Sequence, residues 1–214
     1  MSSSKLHYLR KDYEKGSLNE SMLPSSPFEL FGIWFNEAVT SGIIEPNAML
    51  LSTSGNDCAP ASRTVLLKEF SVKGFEFYTN YKSRKALQIG QNPQVALHFL
   101  WLPLERQIKI EGKALKVARK KSIEYFATRP RESQIGSWAS PQSTQIESRA
   151  ELEKARAFYE AKFEGQKVIC PPHWGGYIVA PSMLEFWQGG QGRLHDRIVY
   201  KRTGSTWRLY RLAP

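Results

Sequence analysis

Apolar positions along the chain follow a helical period first and a strand period after it. Between Ser26 and Gly42, the residues Leu30, Phe31, Trp34, Phe35, Ala38 and Val39 recur at three- and four-residue steps, the spacing that gathers side chains onto one helix face. Ser26 can cap this helix, Pro27 suits its first position, Glu29 completes a capping box and Gly42 can end it. From Ala48 to Val117 the period falls to two. Strands are predicted over 48–53, 62–70, 75–79, 94–101 and 105–117, with turns at Ser54–Asp57 and Lys73-Gly74. Over 105–117, Ile108, Ile110 and Gly112 alternate with Gln107, Lys109, Glu111 and Lys113. In the 62–70 strand, Arg63, Val65 and Leu67 share one face and Thr64, Leu66 and Lys68 the other. Only a bulge or a strand end brings Arg63 and Lys68 to one ligand. One short helix, 84–90 with Ser83 as cap, interrupts the run. Strands this closely spaced suggest an antiparallel barrel.

The second half mixes the two periods. A helix over 119–127 ends before Pro130, which disfavours helical geometry at Arg129. Tyr125 and Arg129, four apart, are neighbours if the last turn holds. A short segment, 133–138, and a hydroxyl- and amide-rich loop, Ser140–Ser143, follow. Ser148 and Glu151 open another capped helix with Leu152, Ala155, Phe158, Tyr159 and Phe163 on its apolar side. Residues 170–173 form a linker. Strands are predicted over 177–179, 183–187, 195–202 and 207–212. Residues 1–26 are polar and read as a mobile N-terminal arm with one helical turn around Leu9–Tyr13, leaving 27–214 as a single domain.

Composition narrows the class. A chain of 214 residues can bury a sizeable core. No apolar run reaches membrane-span length, and Met1–Arg10 lacks the apolar centre of a secretory signal. Cys58 and Cys170 have neither disulfide-framework nor metal-site spacing, which together with the missing signal favours the cytosol. The net charge of +10 calls for anionic partners. The basic residues are spread through structured-looking segments, which argues against a nucleic-acid-binding tail.

Two places concentrate that charge. Trp187–Arg197 reads W-Q-G-G-Q-G-R-L-H-D-R. If extended, it points Arg193, His195 and Arg197 to one side and Leu194 and Asp196 to the other. Such a row is either a solvated edge or a site for an anionic ligand. Arg84 and Lys85 stand in a first helical turn, where the helix dipole opposes cations. A phosphate bound at that N-terminus makes the placement favourable, while a tolerated surface pair fits equally well. Nucleophile-elbow, phosphate-loop, dinucleotide-fold and zinc-protease motifs are absent, and the histidines and cysteines do not cluster as metal ligands. Many anion-binding groups without a nucleophile triad suit a protein that borrows its chemistry from a cofactor.

The motifs R-T-V-L-L-K (63–68), F-Y-T-N (77–80), S-R-K (83–85), E-R-Q (105–107), Y-F-x-x-R-P-R (125–131), S-Q-I-G (133–136), E-F-W-Q-G (185–189), R-L-H-D-R (193–197) and the terminal R-L-A-P resemble, in order, those of the pyridoxine (pyridoxamine) 5′-phosphate oxidase family. The resemblance implies a mainly β fold, an antiparallel FMN-binding split β-barrel with flanking helices, working as a homodimer with FMN at the interface. It implies FMN contacts at Arg63, Thr64, Val65, Leu66, Leu67, Lys68, Tyr78, Thr79, Arg84, Lys85, Gln107, Gln142, Ser143, Trp187 and Arg197. Lys68, Tyr125, Arg129 and Ser133 would grip a substrate phosphate. Arg193, Leu194 and His195 would lie near the substrate ring. Arg10, Lys11, Asp12 and Tyr13 match lid residues, which overturns the reading of the arm as surface decoration. The implied reaction oxidises pyridoxamine or pyridoxine 5′-phosphate to pyridoxal 5′-phosphate and reduces O₂ to H₂O₂, with neither a nucleic acid nor a membrane as partner. Arg193 and Arg197 would orient the reactants and stabilise charge, and His195 would position them or handle a proton.

Overall fold

The computed structural model describes Tyr8 and residues 12–214. The turn expected around Leu9–Tyr13 falls largely on 9–11, and the lid assignments Arg10 and Lys11 lie outside the described residues. The elements are α1 (Pro27–Thr40), β1 (Ala48–Ser54), β2 (Pro60–Leu66), β3 (Glu69–Ser71), β4 (Gly74–Asn80), α2 (Arg84–Gln91), β5 (Gln94–Trp101), β6 (Arg106–Lys116), α3 (Arg119–Ala127), α4 (Arg131–Ala139), α5 (Arg149–Lys162), β7 (Trp174–Gln188), β8 (Asp196–Thr203) and β9 (Thr206–Leu212). The fold is mainly β, with strand order β2-β1-β5-β6-β7-β4-β3 and β8 and β9 continuing from β7. The β3–β4, β4–β7, β7–β8 and β8–β9 pairs are antiparallel.

The chain forms two compact units. The first comprises the chain through Met49, Leu97–Glu111 and Ser182–Pro214, and the second comprises Leu50–Ala96 and Gly112–Pro181. In the first unit, the apolar face of α1 supplies Phe31 and Trp34. Phe31 packs 5.3 Å from Phe99, and Trp34 packs 5.3 Å edge-on to Phe186. Each such buried aromatic contributes about 1.5–3 kcal/mol. Residues 12–26 are tied to the same unit. Glu105 Oε2 accepts from the Glu14 and Lys15 amides at 2.8 and 3.0 Å, Leu18 N donates to Asp196, and Tyr200 Oη donates to Pro24 O. In the second unit, Phe126, Ile135, Phe163, Val168 and Trp174 form a core under α3, α4 and α5.

Several sequence expectations need correction. Ser26, Ser83 and Ser148 occupy N-cap positions without a side-chain cap bond. Ser83 instead turns its hydroxyl back to Asn80 O at 2.7 Å. The single strand over 62–70 is two strands. The chain leaves β2 after Leu66, Lys68 N donates to Glu76 O, and β3 resumes at Glu69, so the strand end that the Arg63–Lys68 argument required is present. The two strands expected over 177–179 and 183–187 are one, β7. Phe158, placed on the apolar side of α5, is 62% exposed. The largest correction concerns 193–197. Gln191–Arg193 is a 3₁₀ turn with φ of +60° at Gly192 and +67° at Arg193, and β8 starts only at Asp196. Positive φ breaks the extended geometry at Gly192 and Arg193, so alternation does not carry Arg193 onto the face of Arg197.

Candidate active site

In the second unit, β2, β4, α3, α4 and the loop after α4 enclose a cleft of about 650 Å³. Its lining includes Thr64, Val65, Leu66, Lys68, Tyr78, Thr79, Lys85 and Gln142, all assigned to a cofactor from sequence, and Tyr125, Arg129 and Ser133, assigned to a substrate. Arg63, Leu67, Arg84 and Ser143 belong to the same unit and do not line the cleft.

Three cations gather near the N-terminus of α2. Arg63 is held by Leu51 O at 3.2 Å and Thr53 Oγ1 at 2.6 Å. Thr53 donates in turn to Gln88 Oε1 on α2 at 2.7 Å, so β1 and α2 fix the guanidinium together. Burial, and then repulsion from Arg84, lowers the Arg63 pKa. Burial, and then Arg63, lowers that of Lys85. Lys85 Nζ donates to Gln142 Oε1 at 3.1 Å and Thr79 Oγ1 at 3.3 Å, both neutral acceptors. None of the three cations has a carboxylate partner among the described residues. Like charges gathered at a helix N-terminus without a side-chain cap favour a bound anion.

The opposite wall is aromatic. Tyr78 stacks on Tyr125 at 4.0 Å and on Trp174 at 5.5 Å. Burial, and then Glu76, pushes the Tyr78 hydroxyl up to about 12, so it stays protonated. The Arg129 guanidinium lies 4.6 Å over Trp174 and donates to Ser137 Oγ at 2.6 Å. Burial lowers its pKa, and it too has no carboxylate partner among the described residues. Two glycines of β7 leave room for neighbouring tyrosine rings, one of them in this wall. A Cβ at Gly176 would stand 2.7 Å from the Tyr78 ring, and one at Gly175 would stand 2.3 Å from Tyr81 Oη. Ser137 and Trp174 were missed from sequence. Reading α4 at its full length would have put Ser137 one turn beyond Ser133 on the same face. Nothing local links Trp174 to Arg129.

The remaining assigned residues belong to the first unit. Tyr13 meets Trp187 edge-on at 5.6 Å and His195 at 5.7 Å, and Trp187 and His195 are 4.7 Å apart. A Cβ at Gly189 would stand 2.7 Å from Tyr13 Cγ, and one at Gly190 would stand 2.5 Å from Leu194 O, so both approaches require glycine. Gly190 N donates to His195 Nδ1 at 3.2 Å, which puts the proton of the neutral ring on Nε2. Arg193 and Leu194 are exposed, as is Asp12. Arg197 donates to the buried Glu185 at 2.7 Å and to Ala213 O at 3.0 Å, and Lys109 lies 3.3 Å from the other Glu185 oxygen. Burial would raise the Glu185 pKa, but Arg197 and Lys109 outweigh it and hold it low. Gln107 Oε1 pairs with His98 Nε2 at 3.0 Å.

Comparison with known proteins gives this arrangement a lineage. Residues 35–161 match the family described as Pyridoxamine 5′-phosphate oxidase, and residues 174–214 match the Pyridoxine 5′-phosphate oxidase C-terminal dimerisation region. A pyridoxine/pyridoxamine 5′-phosphate oxidase of Rubrobacter xylanophilus is 52% identical over 96% of this chain and 95% of its own. That of Salinibacter ruber is 47% identical over 99% and 100%. Among solved structures, PhzG from Burkholderia lata, in complex with tetrahydrophenazine-1-carboxylic acid, superposes with a TM-score of 0.87 at 28% identity, covering 92% of this chain and 98% of that one. A pyridoxamine 5′-phosphate oxidase-related, FMN-binding protein of Nostoc punctiforme gives 0.71 at 16% identity, covering 90% and 100%. These likenesses identify the antiparallel arrangement as the split-barrel fold. With matches spanning both units and near-complete relatives at about half identity, the chain belongs to the pyridoxamine 5′-phosphate oxidase family.

Proposed function

We propose that the protein is an FMN-dependent oxidase that converts pyridoxamine or pyridoxine 5′-phosphate to pyridoxal 5′-phosphate, reducing O₂ to H₂O₂ and releasing ammonia from the amine substrate. The observation that carries this reading is one cleft lined by two kinds of cation that have no carboxylate partner among the described residues: Lys85, beside Arg63 and Arg84 at the start of α2, and Arg129 on the aromatic wall, with Lys68 also on the lining. A phosphorylated cofactor and a phosphorylated substrate account for both.

The residues present fit FMN. Arg63, Arg84, Lys85 and the N–H groups opening α2 would hold its phosphate. Thr64, Val65, Leu66, Leu67, Tyr78, Thr79, Gln142 and Ser143 would hold the rest, together with Gln107, Trp187 and Arg197 at a homodimer interface. When bound, FMN supplies the acceptor for the hydride equivalent leaving the substrate C4′ and passes the electrons to O₂.

The chain's own groups bind and orient. Lys68, Tyr125, Arg129 and Ser133 grip the substrate phosphate, which turns the reacting carbon toward the cofactor and excludes water. Arg193 places positive charge near the substrate ring, His195 presents Nε2–H there, and Tyr13 packs over Trp187 as part of the lid. Purified protein titrated with FMN should quench flavin fluorescence to one equivalent per chain. The loaded protein should then consume O₂ with either phosphorylated vitamer. A protein that takes up no flavin would overturn the reading.

A further inference from the structure

We infer that Ser137 is a positioning residue for the substrate-phosphate clamp, holding Arg129 in the orientation that aims its free N–H groups into the cleft. The inference rests on the proposed role of Arg129. Arg129 stands between α3 and α4. Its backbone N–H donates to Phe126 O of α3 at 3.2 Å, which fixes the main chain and leaves the long side chain free to turn. Its guanidinium face lies on Trp174, which sets the plane but leaves rotation within that plane free. Among the described residues, the one hydrogen bond from that side chain goes to Ser137 Oγ at 2.6 Å.

The Ser137 hydroxyl is itself oriented. It donates to Ser133 O one turn earlier at 2.9 Å, so the lone pair it offers Arg129 has a fixed direction. His173 Nε2 lies 3.2 Å from Ser137 O and ties the same turn of α4 to the segment before β7. The relay runs Arg129 to Ser137 to the Ser133 carbonyl, and Ser133 is also assigned to the phosphate. The Ser133 carbonyl thus orients the hydroxyl, and the hydroxyl orients Arg129. Removing the hydroxyl leaves a desolvated cation that keeps its stacking and its charge and loses its aim.

The test is a double-mutant cycle on the FMN-loaded enzyme, reading pyridoxal 5′-phosphate Kd by absorbance and substrate KM and kcat by O₂ uptake. Ser137→Ala should raise Kd and KM about five- to tenfold, with kcat and FMN affinity within about twofold. Ser137→Thr, which keeps the hydroxyl, should recover most of the loss. Arg129→Ala should cost more, and adding Ser137→Ala to it should cost nothing further, because the serine acts only through the arginine. If Arg129→Ala weakens binding while Ser137→Ala does not, or if the two losses add, the positioning role is overturned and the clamp stands. If neither substitution weakens binding of the phosphorylated ligand, the clamp reading of Arg129 fails, and this inference with it.

Discussion

The part-buried cations of the two units are treated in opposite ways. In the first unit, Arg106, Lys109 and Arg197 each meet a carboxylate, namely Glu37, Glu185 with Glu111, and Glu185. In the second unit, Lys121 meets Glu69 and Glu76, but among the described residues Arg63, Lys85 and Arg129 meet only neutral acceptors and aromatic faces. Burial weakens the charged form of all three, and for Arg63 and Lys85 a neighbouring cation adds to it. A desolvated cation without a counter-charge is costly in a folded protein, so its retention points to a charge that arrives from outside. The net charge of +10 says only that anions are wanted, whereas the pairing pattern says where.

Substitutions can break that comparison, and the largest expected effect is on the cofactor. Arg84→Ala should weaken FMN by about 1.5–3 kcal/mol, or tenfold to a hundredfold. It should leave the thermal midpoint of the FMN-free protein unchanged or raised, because repulsion on Arg63 is relieved. Flavin titration and a thermal melt of the stripped protein measure the two halves, and a destabilised stripped protein would make Arg84 architectural.

Arg211→Ala should do the reverse. Arg211 binds Glu20, Asp196 and Leu18 O, holding residues 18–20 to β9. It is partly exposed, so the loss is discounted to about 1 kcal/mol, which lowers Tm by about 2–4 °C in a chain of this size, with FMN affinity unchanged. Weakened FMN binding at an unaltered Tm would erase the contrast between the units.

The smallest effect is acid-dependent. The side-chain bond from Arg211 holds the Glu20 carboxyl down to about 2 from an ordinary 4.5. Because the folded value is depressed, this tie is fully present above about pH 4.5 and is lost as pH falls toward 2. Amide exchange at Leu18 should accelerate across that window in the wild type, and Glu20→Gln should flatten the dependence. An unchanged profile in the variant would show that the tie contributes nothing there.

What was legible in the sequence was local. The period-2 run of β6 survives intact and the period-3.6 stripe of α1 survives except at Val39, which is exposed in the last turn, because each records one face meeting one core. The helix start at Arg84-Lys85 was legible because the start and its charges lie within a few residues, and α2 begins at Arg84. Readings that assumed one competitor for a polar group did worse. Ser83 has a cap's identity, yet its hydroxyl serves Asn80 O. The alternation at 193–197 presumed extended backbone, and the Gly192–Arg193 turn removes it. The stacking of Tyr78, Tyr125 and Trp174 and the hold of Ser137 on Arg129 depend on chain returns that no local pattern encodes. The family motifs named Tyr78 and Tyr125 without saying that each is the other's packing surface.

The glycine pair of β7 bears on how such a site can diverge. A side chain at Gly176 would drive into Tyr78 of the aromatic wall, and one at Gly175 into Tyr81, just after β4, and Ser122 of α3, so the Tyr78 side of the wall is closed to gradual change. The facing surface is built from α4 and the loop through Gln142, where Gln142 is tied to Thr79 and Lys85 by side-chain hydrogen bonds and not by backbone packing. Selection for a different ring or a different anion has one wall to work on, and altered specificity in descendants of this fold should be written in the stretch from Ser133 to Ser143.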